Sequence, residues 1–185
     1  MVRRGFLGFF GSLFLFVVVV ALNGASLAEL HSLSFEAVKA FENVLPSGDE
    51  VVKQMFFTAV VESGGGRWDK QIGGGPAVSY WQIETVTAED VYYRYLSTRK
   101  SLKDRVEKFS GVSQVEKGQM REVLLKNPKF AACIARLVYG MDKGSIPVSK
   151  GWEGHAEYWK KAYQKGGSQG LSAKKALEVF RREAL

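Results

Sequence analysis

A run of glycines breaks this chain where its pattern is otherwise helical. Val60-Val61-Glu62-Ser63 leads into Gly64-Gly65-Gly66, and Gly73-Gly74-Gly75-Pro76-Ala77-Val78-Ser79-Tyr80-Trp81-Gln82-Ile83 follows. Each glycine inside a helix costs about 1 kcal/mol relative to alanine, so three in succession end one. Residues 64–86 must therefore be an irregular loop, with an extended piece over 78–83. The helix before the break starts from Ser47 as N-cap, with Asp49 and Glu50 in its first turn. Val51, Val52, Met55, Phe56, Ala59 and Val60 recur along it at helical spacing, and Glu62 closes it.

The rest of the chain reads as helix after helix. An amphipathic segment runs from Ser34 to about Val44, stopped by Pro46. Thr87 and Asp90 have capping-box spacing and open a helix over 88–99. Further helices are expected over 113–126, over 129–139 behind Asn127-Pro128, over 152–165 and over 172–184. The fold class is mainly α, α+β at most, with the glycine-rich loop as the one large irregular feature. A chain of 185 residues has room for one such domain, placed at 29–185.

Residues 1–28 differ in kind. Arg3 and Arg4 precede an uncharged apolar run over 5–22, and Ser26-Leu27-Ala28 offers a small-residue processing site before Glu29. That layout predicts a secretory signal or, if uncleaved, a membrane anchor through residues 5–22. Either way the protein is expected to be exported or membrane-associated, in a bacterial periplasm or envelope or in a virus particle. Residues 29–185 carry 24 basic and 19 acidic side chains, a modest positive excess that suits an anionic polymer or membrane face. Nucleic acid is not expected, since no Lys/Arg run is interleaved with aromatics along one face. Cys133 is the only cysteine and sits in an apolar helical pattern, so neither a disulfide nor a reactive thiol is expected. His31 and His155 have no ligand-like neighbours in sequence, and no cofactor or metal is expected. A monomer is expected.

A carboxylate at the end of an apolar helix has two reasons to hold its proton. Apolar neighbours desolvate the charged form, and the negative end of the helix dipole opposes it. Such a carboxyl is suited to general acid chemistry at neutral pH. The following segment adds a hydroxyl at Ser63, flat faces at Tyr80 and Trp81, and an amide at Gln82, with a core anchor as the equal alternative for Trp81. Glycines 73–75 would let a bulky polymer approach the backbone. Tyrosines 92, 93 and 95 fall at helical spacing and fit a half-buried core better than a binding face.

Glu62-Ser63 followed by Gln82-Ile83 resembles the Glu-Ser…Gln-Ile signature of goose-type lysozymes and soluble lytic transglycosylases, and Ala162-Tyr163-Gln164-Lys165-Gly166 resembles a later Ala-Tyr-Asn-x-Gly element of that family. The chain is more closely similar to lysozyme-like lysis and virion proteins of bacterial viruses. The shared pieces are Gly73 to Ala77, Trp81-Gln82-Ile83-Glu84, Val91 to Leu96, Phe130 to Arg136, and Tyr158-Trp159-Lys160-Lys161-Ala162-Tyr163. The likeness spans roughly residues 50–170. It departs from the family pattern at Ser79, where glycine is usual, and at Gln164, where asparagine is usual.

The resemblance implies a lysozyme-like helical domain that cleaves the MurNAc-GlcNAc bond of peptidoglycan glycan strands. Glu62 would be the catalytic acid, Tyr163 would bring its hydroxyl near that acid, and Gln82 would line the sugar site. Ser63, Tyr80, Trp81 and Glu84 complete the expected substrate-binding set. In lytic transglycosylase chemistry one carboxyl suffices, protonating the leaving oxygen and then accepting the C6 hydroxyl proton as a 1,6-anhydro ring closes. A hydrolase would use a second carboxylate, for which Asp69, Glu84 and Asp90 are candidates and Glu84 the first choice. Two other readings compete: a peptidoglycan-binding module without catalysis, and a membrane-anchored structural protein of a virus particle.

Overall fold

The computed structural model describes residues 24–164 and 170–185, and the expected signal or anchor over 5–22 lies outside them. Within the described residues the protein is mainly α, with eight α-helices and one short hairpin.

Helix α2 (Asp49–Ser63) runs through the core. Val52, Gln54, Met55, Phe57, Thr58, Ala59, Val60 and Val61 are buried on several of its faces, as expected of a helix packed on all sides. Gly64 ends it in the left-handed conformation, φ 60°. The N-cap is Gly48 and not Ser47, and no side chain caps this end. Helix α1 (Leu27–Ala40) and the last helix, α8 (Ala173–Ala184), pack against it.

Helix α1 begins earlier and ends earlier than its apolar pattern suggests. Ser26 caps it in a full capping box with Glu29, accepting from the Glu29 backbone N–H while the Glu29 carboxylate accepts from Ser26 N–H. Ala25 N–H donates to the carbonyl of Gly66 at 3.0 Å. The 28/29 boundary drawn from sequence therefore lies inside the first turn of α1.

After α2 comes the loop, then a two-residue hairpin of β1 (Ala77–Val78) and β2 (Ile83–Glu84), with Ala77 opposite Glu84 and Val78 opposite Ile83. Helix α3 (Thr85–Glu89) starts directly from β2, with Glu84 as N-cap, so Thr87 is inside the helix and not its cap. It widens into a π-helical segment over Asp90–Tyr95. Within that segment Tyr92 is buried and Tyr93 Oη–H donates to the Val115 carbonyl, so these tyrosines serve packing.

Helix α4 (Lys100–Ser110) has no counterpart in the sequence reading. Its apolar positions are few, Leu102, Val106 and Phe109 among charges, and that thin stripe escapes a search for dense periodicity. The helix expected over 113–126 is confined to α5 (Met120–Lys126), because Gly111 and Gly118 both take positive φ ahead of it. Helix α6 (Pro128–Met141) follows the expected cap, with Asn127 Oδ1 accepting from Phe130 N–H at 2.9 Å. Cys133 is buried within it, and burial pushes its thiol far up. Helix α7 (Trp152–Tyr158) continues as a second π-helical segment over Trp159–Tyr163.

Candidate functional site

Glu62 lies at the floor of a cleft of about 830 Å³. One wall comes from the loop and hairpin: Trp68, Lys70, Gln71, Ile72, Ala77 and Gln82 to Glu84. Thr87, Asp90 and Val91 extend it along α3 and its π-helical continuation. Val138 and Met141 of α6, then Ala162, Tyr163 and Gln164, line the opposite wall.

The Glu62 carboxylate is only partly exposed, and its environment favours the neutral form. Desolvation raises its pKa from the ordinary 4.5 to about 7. Two groups work against that shift. Trp159 donates its indole N–H to Glu62 Oε1 at 3.0 Å, and the Lys160 ammonium adds a favourable charge. Burial outweighs both, leaving a carboxyl poised to give and take a proton near neutral pH.

Trp159 is a site residue that the Glu-Ser and Trp-Gln motifs do not reveal. It belongs to the second π-helical segment, whose wider turn carries Trp159, Ala162 and Tyr163 onto the Glu62 side of α2. The sequence contains a signal in Tyr158-Trp159-Lys160, but a tryptophan within a helix reads first as core. It is both: fully buried, with its one polar atom on the carboxylate.

Tyr163 lies in the cleft, where its phenol feels the Glu62 charge while its hydroxyl is bonded to the hairpin. It donates to the Trp81 carbonyl at 2.8 Å, and its ring stacks on Tyr139 with centroids 5.2 Å apart. Burial, with the Glu62 charge second, pushes the phenol well up, so it remains a neutral donor. Its bond joins the helical wall to the hairpin wall.

Trp81 must be corrected from a stacking surface to a core anchor. It is fully buried, and its indole N–H donates to the Met55 carbonyl at 3.2 Å, pinning the hairpin onto α2. Ser63 is likewise buried and turned inward, donating to the Ala59 carbonyl at 2.6 Å and accepting from Gly66 N–H at 2.7 Å. Its hydroxyl shapes the turn after α2 and faces neither substrate nor acid. Tyr80 is half-buried, packs on the core and is not among the cleft-lining residues.

Gln82 and Glu84 do reach the cleft. The hairpin turn that presents them has two non-glycine residues in the left-handed region, Ser79 at φ 69° and Gln82 at φ 45°. Ser79 thus occupies a position where glycine would be at ease, which is the physical content of that departure in the sequence. Gln82 Nε2 donates to the Ser79 carbonyl at 3.0 Å. Of the candidate second carboxylates, Glu84 and Asp90 line the cleft and Asp69 does not. Asp90 is paired with Arg94 at 2.8 Å. Glycines 73 and 74 take positive φ on the open loop and do not line the cleft, while the side chain of Gln71 fills the space beside Gly75.

His155 is a satisfied core histidine. Its Nδ1 meets Gln54 Oε1 at 2.9 Å and its Nε2 meets Glu50 Oε2 at 3.1 Å, and burial lowers its pKa. His31 lies edge-on to Phe56. Among the described residues no group of three or more His, Cys, Asp or Glu could hold a metal ion, and no helix is long and apolar enough to cross a membrane.

No protein-family model matches this chain, and no curated protein or solved structure is similar to it at a meaningful level.

Proposed function

We propose that this protein cleaves the MurNAc-GlcNAc bond of peptidoglycan, as a lysozyme-like lytic transglycosylase with Glu62 as its acid and base. One observation carries the reading: among the carboxyls that line the cleft, Glu62 is desolvated to a pKa of about 7, in a space with room for several sugar rings. Glu62 in its neutral form protonates the leaving glycosidic oxygen. The resulting carboxylate, steadied by the Trp159 N–H, accepts the C6 hydroxyl proton as the 1,6-anhydro ring closes. A pKa near 7 serves both steps, because neither protonation state is far from reach. Gln82 and Tyr163 line the sugar site, and Glu84 contacts the glycan or its stem. No cofactor enters this scheme.

The protein works outside the cytoplasm, exported or tethered through residues 5–22, or carried in a virus particle. Its expected partner is the glycan strand, and its modest positive charge favours that anionic polymer. The test is mass spectrometry of fragments released from purified peptidoglycan. Anhydro-MurNAc ends that vanish with Glu62→Gln support the proposal. Reducing ends would reassign the reaction to hydrolysis with Glu84 as second carboxylate, and wall binding without any fragments would leave a binding module.

A further inference from the structure

With Trp81 buried, the cleft needs another surface for the apolar face of a sugar ring. Two aromatic rings line it, Tyr163 and Trp68. Tyr163 is committed, its hydroxyl bonded to the Trp81 carbonyl and its ring stacked on Tyr139. Trp68 is 47% exposed, and beside it on the same loop Ile72 is 74% exposed. An isolated exposed tryptophan needs no explanation. This one lies on the wall of the cleft that holds Glu62, on a loop that is tied down at several points.

The indole edge of Trp68 rests on Gly64, where a Cβ would come within 3.2 Å of Cδ1 and 3.3 Å of Nε1. Its backbone N–H donates to the Ser63 carbonyl at 3.0 Å. Gly66, between them, donates to Ser63 Oγ and accepts from Ala25 N–H. The neighbouring Arg67 makes a two-pronged ion pair with Glu183 of α8, at 2.8 and 2.9 Å. The loop after the acid is thus built as a fixed mount, and what it presents to the cleft is a flat ring. A rigid aromatic gives large apolar contact with little ordering entropy, which is what a polar polymer with apolar ring faces requires.

We infer that Trp68 is the stacking platform of the glycan site, receiving the apolar face of a saccharide ring adjacent to the bond at Glu62, and that Glu183 positions it through Arg67. The inference rests on the reading of the cleft as a glycan site. Trp68 touches substrate; Glu183 acts only through Arg67.

The probe is tetra-N-acetylglucosamine, titrated into the Glu62→Gln protein while the Trp68 indole N–H resonance is followed, assigned by its loss in Trp68→Phe. Parallel kinetics use purified peptidoglycan with otherwise wild-type protein. The Trp68 resonance should shift saturably, and Trp68→Ala should weaken binding roughly tenfold. KM should rise with kcat little changed, and Trp68→Tyr should restore most of the affinity. Glu183→Gln should raise KM by less than Trp68→Ala, and that effect should disappear in a Trp68→Ala background. If Trp68→Ala binds and cleaves like wild type while Glu62→Gln is inactive, the acid stands and the platform is overturned. If no fragments are released yet the Trp68 resonance moves with the oligomer, the platform stands and the catalytic reading falls. Absence of both cleavage and binding overturns both.

Discussion

Trp159 donates its indole N–H to the carboxylate of Glu62 at 3.0 Å, across a sequence separation of 97 residues. The bond favours the ionised acid, yet burial holds the carboxyl at a pKa of about 7. Burial thus sets the proton affinity of the site, and the Trp159 N–H and the Lys160 charge moderate it. Activity should follow the neutral form of Glu62, falling as pH rises through about 7. Replacing Trp159 by Phe removes an N–H that favours the anion, so the alkaline limb should move upward. A hydrogen bond to a charged group is worth about 1.5–3 kcal/mol, so the limb should move by about one pH unit or more. A pH-rate profile on purified cell wall checks this, and an unmoved limb would mean that the bond does not set the acid's pKa.

The same desolvation makes Glu62 a burden on the fold once it ionises. Its folded pKa, about 7, lies above the ordinary 4.5, so the folded state holds the proton more tightly. Stability is then full below pH 4.5, declines as pH rises toward 7, and is level above it. The separation corresponds to about 3 kcal/mol. Glu62→Gln has no such decline. Its melting temperature should match wild type at pH 4 and exceed it at pH 8. Equal melting temperatures at pH 8 would place Glu62 in a wetter setting than the cleft floor.

How much of this was legible beforehand differs residue by residue. The α2 stop at Gly64 and the Asn127 cap are local, with their causes written in adjacent residues, and both stand where the sequence puts them. The fate of Trp81 is not local. Whether its indole faces solvent or the Met55 carbonyl depends on how the hairpin docks, and no spacing rule encodes that. Trp159 fails for the same reason, since a π-helical turn changes which side chains share a face. Trp68 stands alone in a polar loop, and no sequence pattern reveals the mount beneath it.

Ser79 offers a test of backbone strain independent of any activity. It sits at φ 69° in the hairpin turn, a region that costs a residue with a Cβ about 1–2 kcal/mol. Glycine removes that strain but frees the unfolded chain by about 0.4–1 kcal/mol and gives up a long 3.4 Å contact from Trp81 N–H. Ser79→Gly should therefore be neutral or stabilise by up to about 1 kcal/mol. A β-branched residue cannot accept this conformation easily, so Ser79→Val should destabilise clearly. Urea denaturation of the two variants checks the ordering, and a loss of stability in the glycine variant would contradict it.

The junction at residues 24–28 carries the last prediction. Ser26 caps α1, Leu27 and Ala28 form its first turn, and Ala25 is bonded to Gly66 in the loop that mounts Trp68. Gly24 and Gly66 cross so closely that a Cβ on Gly24 would come within 2.5 Å of the Gly66 carbonyl oxygen. Cutting between Ala28 and Glu29 would remove all of this. An N-cap contributes about 1 kcal/mol and a typical hydrogen bond about as much, so the fold should lose roughly 2 kcal/mol. The loop would also lose one of its ties. A protein beginning at Glu29 should unfold at lower urea than one beginning at Gly24, and its KM for glycan should rise with that of Trp68→Ala. If the N-terminal segment is cleaved as a signal, a cut that preserves the fold falls upstream of Gly24, and N-terminal mass spectrometry of the mature protein reads its position directly. Equal urea midpoints for the two forms would show that residues 24–28 rest on the domain without supporting it.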